Sequence, residues 1–272
     1  MQDKNSQGGY RNFLEIDDRR VNPEPIIRVW DVFVRTSHWL LVLFFAIIYL
    51  RYRKFPLHAY AGMIVLGLVT VRLVWGFVGP RAARFKTFLF TPAQVFRYAL
   101  DALRGHAAYF SSHNPLGAWM VFILLLMMFA NGILGLMLYS AGQQLGPLGD
   151  LVPSDWEDQL ILYHKVLGHI TAASVALHIS GVVWAARAHH FNFVTAMITG
   201  YKRVPRKADE HELEGYSQYS DRIIPPRFAK VERWFNRQHP ALGSILLVGA
   251  VALVVLELVE AFVNLNKYLP TY

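Results

Sequence analysis

The sequence predicts an all-α integral membrane protein: a four-helix transmembrane bundle followed by an extra C-terminal transmembrane helix. Three observations lead there. Of the 272 residues, 54% are hydrophobic and only 17% charged, a balance suited to lipid rather than water. Five long apolar segments stand between charged stretches. Inside one of them His164 and His178 are fourteen residues apart, with Lys165 the only charged residue between them.

The segments run over residues 34–50, 58–78, 116–138, 160–186 and 241–265. Arg35 and Arg51 bound the first, where long stems let charged heads reach the interface. Arg72 lies inside the second; Glu257 and Glu260 stand towards the end of the fifth. Residues 1–33 are too polar for a signal peptide's apolar core and read as a retained tail. Residues 204–240 form a charged segment before the fifth span, which carries no histidine and reads as a packing helix for a partner subunit or a second copy.

Charge sets the expected orientation. Basic residues crowd the tail, the connection between the second and third spans, and the stretch after the fourth. The connection over 140–160 has none, but holds Asp150, Asp155, Glu157 and Asp158. The positive-inside rule puts the N-terminus in the cytoplasm and this acidic loop outside. Arg51, Arg53 and Lys54 then fall outside, either as interface anchors or as counter-charges to an outer cofactor. The net charge of +8 flanks apolar runs and forms no single patch, which argues against nucleic acid.

Fourteen helical residues turn through about 1400°, close to four full turns, and rise about 21 Å. His164 and His178 therefore leave one helix face at opposite depths. Polar rings in hydrocarbon need partners, and this arrangement suits two haems, one above the other. The absence of cysteine excludes c-type attachment and cysteine-ligated clusters, so any haem is held non-covalently, as b-type. Depth pairs His58 with His164 near the outside and His38 with His178 near the cytoplasm, each pair joining the fourth span to a neighbour.

Gly62 and Gly168 follow His58 and His164 by one turn, and Gly181 follows His178. A flat macrocycle edge-on to a helix needs such a missing side chain; ordinary small-residue packing is the alternative. Arg72 is fourteen residues after His58 and faces the same column, either to pair an inner propionate or to snorkel to headgroups. His169 points about 140° away from His164 and is read as structural, or as lying near a quinone. His113-Asn114-Pro115 reads as a turn and helix start.

WDVFVRTSHWLL at 30–41, RLVWGFVGPRAARFKTF at 72–88, HNPLGA at 113–118 and AMITGYKR at 196–203 resemble the bacterial cytochrome b561 family, relatives of the cytochrome b subunits of nickel–iron hydrogenases and formate dehydrogenases. The resemblance implies a di-haem membrane core over 34–203, with bis-histidine ligation falling here on His38, His58, His164 and His178. It also implies electron transfer between the quinone pool and a periplasmic or membrane-associated redox partner, in a bacterial inner membrane. Quinol oxidoreductase activity is an open extension of that role, and a homodimer or hetero-complex is compatible with it. A dedicated membrane anchor of one hydrogenase or dehydrogenase is the nearest alternative. A metal-ion transporter is the remote one, because the buried parts of the first four spans lack Asp, Glu and Cys.

Overall fold

The computed structural model describes residues 26–51, 55–106, 108, 110, 112–143, 152–188, 193–203 and 218–219. Four of its helices are long and apolar enough to cross a membrane. They are α1 (Val32–Leu50), α2 (Phe55–Val78), α4 (Pro115–Gln143) and α5 (Glu157–Ala188). All lie within a few residues of the expected spans. The expected fifth span lies outside the described residues, as do nearly all of the charged segment before it and the tail up to residue 25.

Each start has a local cause. Asp31 caps α1 by accepting from the Val34 amide at 2.9 Å. Asn114 caps α4 by accepting from the Gly117 amide at 2.7 Å, with Pro115 in the first turn, where no amide is needed. Helix α5 opens with Glu157 and Asp158, acids set against the positive end of the helix dipole.

Helix α1 packs on α2, α2 on α4, and α4 on α5. Val65 and Val69 of α2 meet Leu125 of α4, with Leu41, Phe44 and Ile48 of α1 against the same cluster. In lipid the tails outside are as apolar as these side chains, so close packing rather than water exclusion holds such a seam. Outward, Leu43, Val74, Phe77 and Leu126 are exposed, as a lipid-facing surface requires.

The connections hold structure that hydropathy did not reveal. Between α2 and α4, read from sequence as a basic loop, two short 3-10 turns (Arg81–Ala83 and Phe85–Thr87) lead into α3 (Pro92–Leu103). A reciprocal box of Thr91 and Gln94 caps α3. After α5 come α6 (Phe193–Thr199) and β2 (Tyr201–Arg203). Strand β2 pairs antiparallel with β1 (Ile26–Arg28), and β3 (Gln218–Tyr219) pairs along the other edge, giving the order β2-β1-β3. The end of the expected tail is thus the central strand of a small sheet, with Ile26 and Ile27 wholly buried.

This sheet locks the start of α1 to the end of α6. The amides of Val29 and Trp30 donate to the Gly200 carbonyl at 2.9 and 3.2 Å. Arg35 Nη1 donates to the Ile198 carbonyl at 2.6 Å, and Trp39 Nε1 to that of Met197 at 3.4 Å. Gly200 turns the chain with φ +88°, and a Cβ there would lie 2.7 Å from the Trp30 carbonyl oxygen. Both conditions exclude a side chain. Gly200→Ala is expected to destabilise the fold by about 1–3 kcal/mol, read as a lower thermal midpoint in detergent. Gly142→Ala, where a Cβ meets nothing within 4 Å, is expected to leave that midpoint unchanged or raise it.

Candidate functional site

Two histidine pairs occupy the two ends of the bundle. At the end remote from the sheet, His58 near the start of α2 faces His164 near the start of α5, with ring centroids 6.0 Å apart and planes at 83°. The contact of His58 Nδ1 with the Ile48 carbonyl, 3.3 Å, can only be a donation from the ring, because a carbonyl has no proton. That tautomer leaves the Nε2 lone pair for another partner. His164 Nδ1 is buried and has no hydrogen-bond partner among the described residues.

The His164 ring owes its place to a glycine on a different helix. A Cβ at Gly135 of α4 would lie 3.0 Å from His164 Cε1 and 3.5 Å from Nδ1. The ring therefore rests close against bare backbone, a support that no pattern around His164 itself announces. Gly168 faces α4 as well, where its Cβ would sit 3.5 Å from the Asn131 amide nitrogen. At Gly62 and Gly181 a Cβ would meet no atom within 4 Å. Of the three glycines singled out by spacing, these two leave open space beside their helices, and Gly168 lies within contact range of Asn131.

At the sheet end, His38 of α1 stands within electrostatic reach of His178 of α5. His38 Nδ1 is likewise buried and has no hydrogen-bond partner among the described residues. Orphaned buried nitrogens cost free energy unless something else satisfies them.

Arg72 of α2 is buried at the same end, 7% exposed, so it does not snorkel outward. Its Nη1 and Nη2 both donate to the Ala83 carbonyl at 3.4 Å, and the guanidinium lies over the Phe85 ring, 5.5 Å from its centroid. Asp31 is the acid set against it electrostatically. That carboxylate is shared: Oδ1 caps α1, and Oδ2 accepts from Trp75 Nε1 at 3.3 Å.

His113 is the residue that sequence reasoning undervalued. It is not a solvated turn residue but packs against Phe88, with ring centroids 4.1 Å apart, and against Trp30 at 4.8 Å. Burial, reinforced by Arg72, Lys202 and His178 around it, lowers its pKa to about 3, so the ring is neutral near pH 7. Lys202 of β2, 4% exposed, donates to the Phe110 carbonyl at 2.5 Å and lies over the Phe193 ring. The one signal for this cluster was the repeated placing of basic and aromatic residues within the strings around 30, 72 and 200.

Among the described residues no group of three or more His, Cys, Asp or Glu converges on a metal-sized site. The histidines come as pairs that bridge helices at both ends of an apolar bundle. Four helices long and apolar enough to cross a membrane, with histidines between them, define the class as a multi-pass membrane protein. A family model described as prokaryotic cytochrome b561 matches residues 29–200, and the chain belongs to that family. It is a membrane cytochrome of the electron-transfer kind, and membership implies that it binds haem b. Neither the curated proteins nor the solved structures yield a significant match.

Asp31 joins α1, α2 and Arg72, so its substitutions separate two effects. Asp31→Ala removes the cap, about 1 kcal/mol, and leaves the Trp75 indole without its partner, about 1–3 kcal/mol more. Asp31→Asn keeps a capping oxygen but turns an NH2 towards the Trp75 indole N–H, so it loses that bond and the charge while keeping the cap. Thermal unfolding in detergent is expected to rank wild type above Asp31→Asn and both above Asp31→Ala.

Proposed function

We propose that the chain is a di-haem b cytochrome of the bacterial inner membrane, passing electrons between the quinone pool and a periplasmic or membrane-associated redox protein. The observation that carries this reading is the close approach of the His58 and His164 imidazoles, ring centroids 6.0 Å apart, with His38 and His178 within electrostatic reach of each other at the other end. Two ring nitrogens each about 2 Å from one shared metal put ring centroids roughly 6 Å apart. The residues fit the cofactor in three further respects. The absence of cysteine requires non-covalent binding. The orphaned Nδ1 atoms of His38 and His164 lie in buried surroundings. The open flanks of Gly62 and Gly181 can lie along a flat ring system.

Haem, when bound, supplies a one-electron couple at each end of the bundle. The chain's residues do the rest. His58, fixed by its bond to the Ile48 carbonyl, and His164, seated on Gly135, orient one site; His38 and His178 orient the other. Held between two imidazoles, a haem at either site would supply electron transfer rather than ligand binding. The apolar walls exclude water from both sites. The quinone step couples two electrons to two protons, so it belongs at the membrane boundary, where protons are exchanged.

The distribution of positive charge supports an orientation with the sheet end in the cytoplasm and the start of α5 towards the periplasm. Asp155, Glu157 and Asp158 are exposed there, one turn or more before His164.

A haem assay of purified wild type is expected to give two extractable haems b per chain, both low-spin. His58→Ala or His164→Ala should remove one or convert it to high spin, and His38→Ala or His178→Ala the other. His169→Ala should keep both. Gly135→Val, which pushes a side chain into the His164 ring, should damage the same haem as His164→Ala. One haem per chain in wild type, or loss of a haem in His169→Ala with both retained in His164→Ala, would contradict the assignment.

The acidic start of α5 also suits a basic redox partner. Neutralising Asp155, Glu157 and Asp158 together is expected to slow electron transfer to such a partner at low salt and to have little effect at high salt. Stopped-flow oxidation at the two ionic strengths checks it.

A further inference from the structure

Helix α3 carries more apolar surface than the bundle covers. At about 100° per residue, its apolar positions run unbroken from Tyr98 round to Ala93, an arc of about 220°. A helix resting on a single surface needs an apolar stripe of roughly 100°. One part of the arc meets the protein: Tyr98 and Ala102 are buried, and the Tyr98 ring packs on that of Phe110, centroids 5.6 Å apart. The other part does not. Phe96 and Leu103, seven residues and so about 20° apart, are 66% and 78% exposed. They leave the helix about 130° away from the buried face. Leu89, just before the helix, is exposed as well.

Depth and border identify what covers this face. The Trp119 indole, in the second turn of α4, donates to the Phe90 carbonyl at 3.0 Å. The start of α3 therefore lies level with the start of a membrane span. Arg97 and Arg104, also seven apart, are exposed about 100° beyond Phe96 and Leu103, where the apolar arc ends. Asp101 and Gln94 fill the remaining arc. An apolar stripe bordered by arginines at this depth fits a helix lying in a lipid interface, its apolar side sunk below the headgroups and its cations at the phosphates.

We propose that α3 is an interfacial helix held on two sides, by the bundle through Tyr98 and Ala102 and by an anionic phospholipid leaflet through Leu89, Phe96 and Leu103, with Arg97 and Arg104 binding lipid phosphates. The reciprocal cap of Thr91 and Gln94, with Pro92 in the first turn, shapes the helix before any lipid meets it. Lipid then braces the connection between α2 and α4, the same connection that offers the Ala83 carbonyl to Arg72. The proposal is independent of how many haems the chain binds.

The chain has no cysteine, so single cysteines can be spin-labelled in the full-length protein. In nanodiscs of phosphatidylcholine and phosphatidylglycerol, labels at Phe96→Cys and Leu103→Cys are expected to be relaxed more by oxygen, which concentrates in lipid, than by a water-soluble nickel chelate. A label at Asp101→Cys should show the reverse order. Stronger relaxation by the chelate at Phe96→Cys and Leu103→Cys would place this face in water and overturn the proposal. Weak relaxation by both agents would place it against protein, either a later segment of this chain or a second copy, and would overturn it equally. Thermal unfolding of unlabelled protein in the same discs and in phosphatidylcholine alone tests the arginines. Wild type is expected to melt higher with phosphatidylglycerol at low salt, and the double variant Arg97→Gln, Arg104→Gln to lose most of that gain. No gain in wild type, or the full gain in the double variant, would overturn the phosphate contacts and the choice of an anionic leaflet.

Discussion

The cost of holding polar groups away from water governs this molecule. A transmembrane bundle gains little from burying one apolar side chain against another, since lipid offers the same contact. An imidazole or guanidinium in that environment must be answered by a partner of fitting geometry. Here the polar groups are not scattered. They concentrate in a histidine pair towards each end, with buried cations at the sheet end beside one of them. The rest of the fold serves to hold these groups in place: Ile48 for His58, Gly135 for His164, Ala83 for Arg72 and Phe110 for Lys202.

The two ends are built differently. The end with His58 and His164 relies on helix starts and backbone contacts, and the acidic residues there are exposed. The sheet end is closed by interlocked elements distant in sequence. Asp31 and Arg35 of α1, Trp75 of α2, His113 before α4 and Gly200 after α6 meet within one hydrogen-bonded and aromatic assembly. Such closure suits a site that must keep charge buried, while the simpler end suits a site that exchanges with a partner.

Much of the bundle was legible in the sequence, because the physical signals for spans are strong and local. Hydropathy located four described helices to within a few residues. Asn114-Pro115 foretold the start of α4, and its cap geometry is as that pair suggests. The sheet was not legible. Strands of two and three residues have no usable periodicity, and Ile27 meets Lys202 across most of the chain. Helix α3 was missed although Thr91-Pro92 followed by Gln94 is a capping signal, because its basic residues had been absorbed into the charge count for topology. His113 looked like a turn residue because its burial comes from Trp30 and Phe88, neither of them local. The seat of His164 on Gly135 depends on how α4 and α5 pack, which no single-helix pattern encodes.

The central claim is that two irons are each held between a pair of imidazoles. Electron paramagnetic resonance of the air-oxidised protein at liquid-helium temperature tests it most directly, because ferric haem with two nitrogen ligands is low-spin and its signal reports the ligand set. The account predicts two distinct low-spin ferric signals in equal amounts and no substantial high-spin component. A single low-spin signal accounting for all the iron, or a dominant high-spin signal, would contradict it.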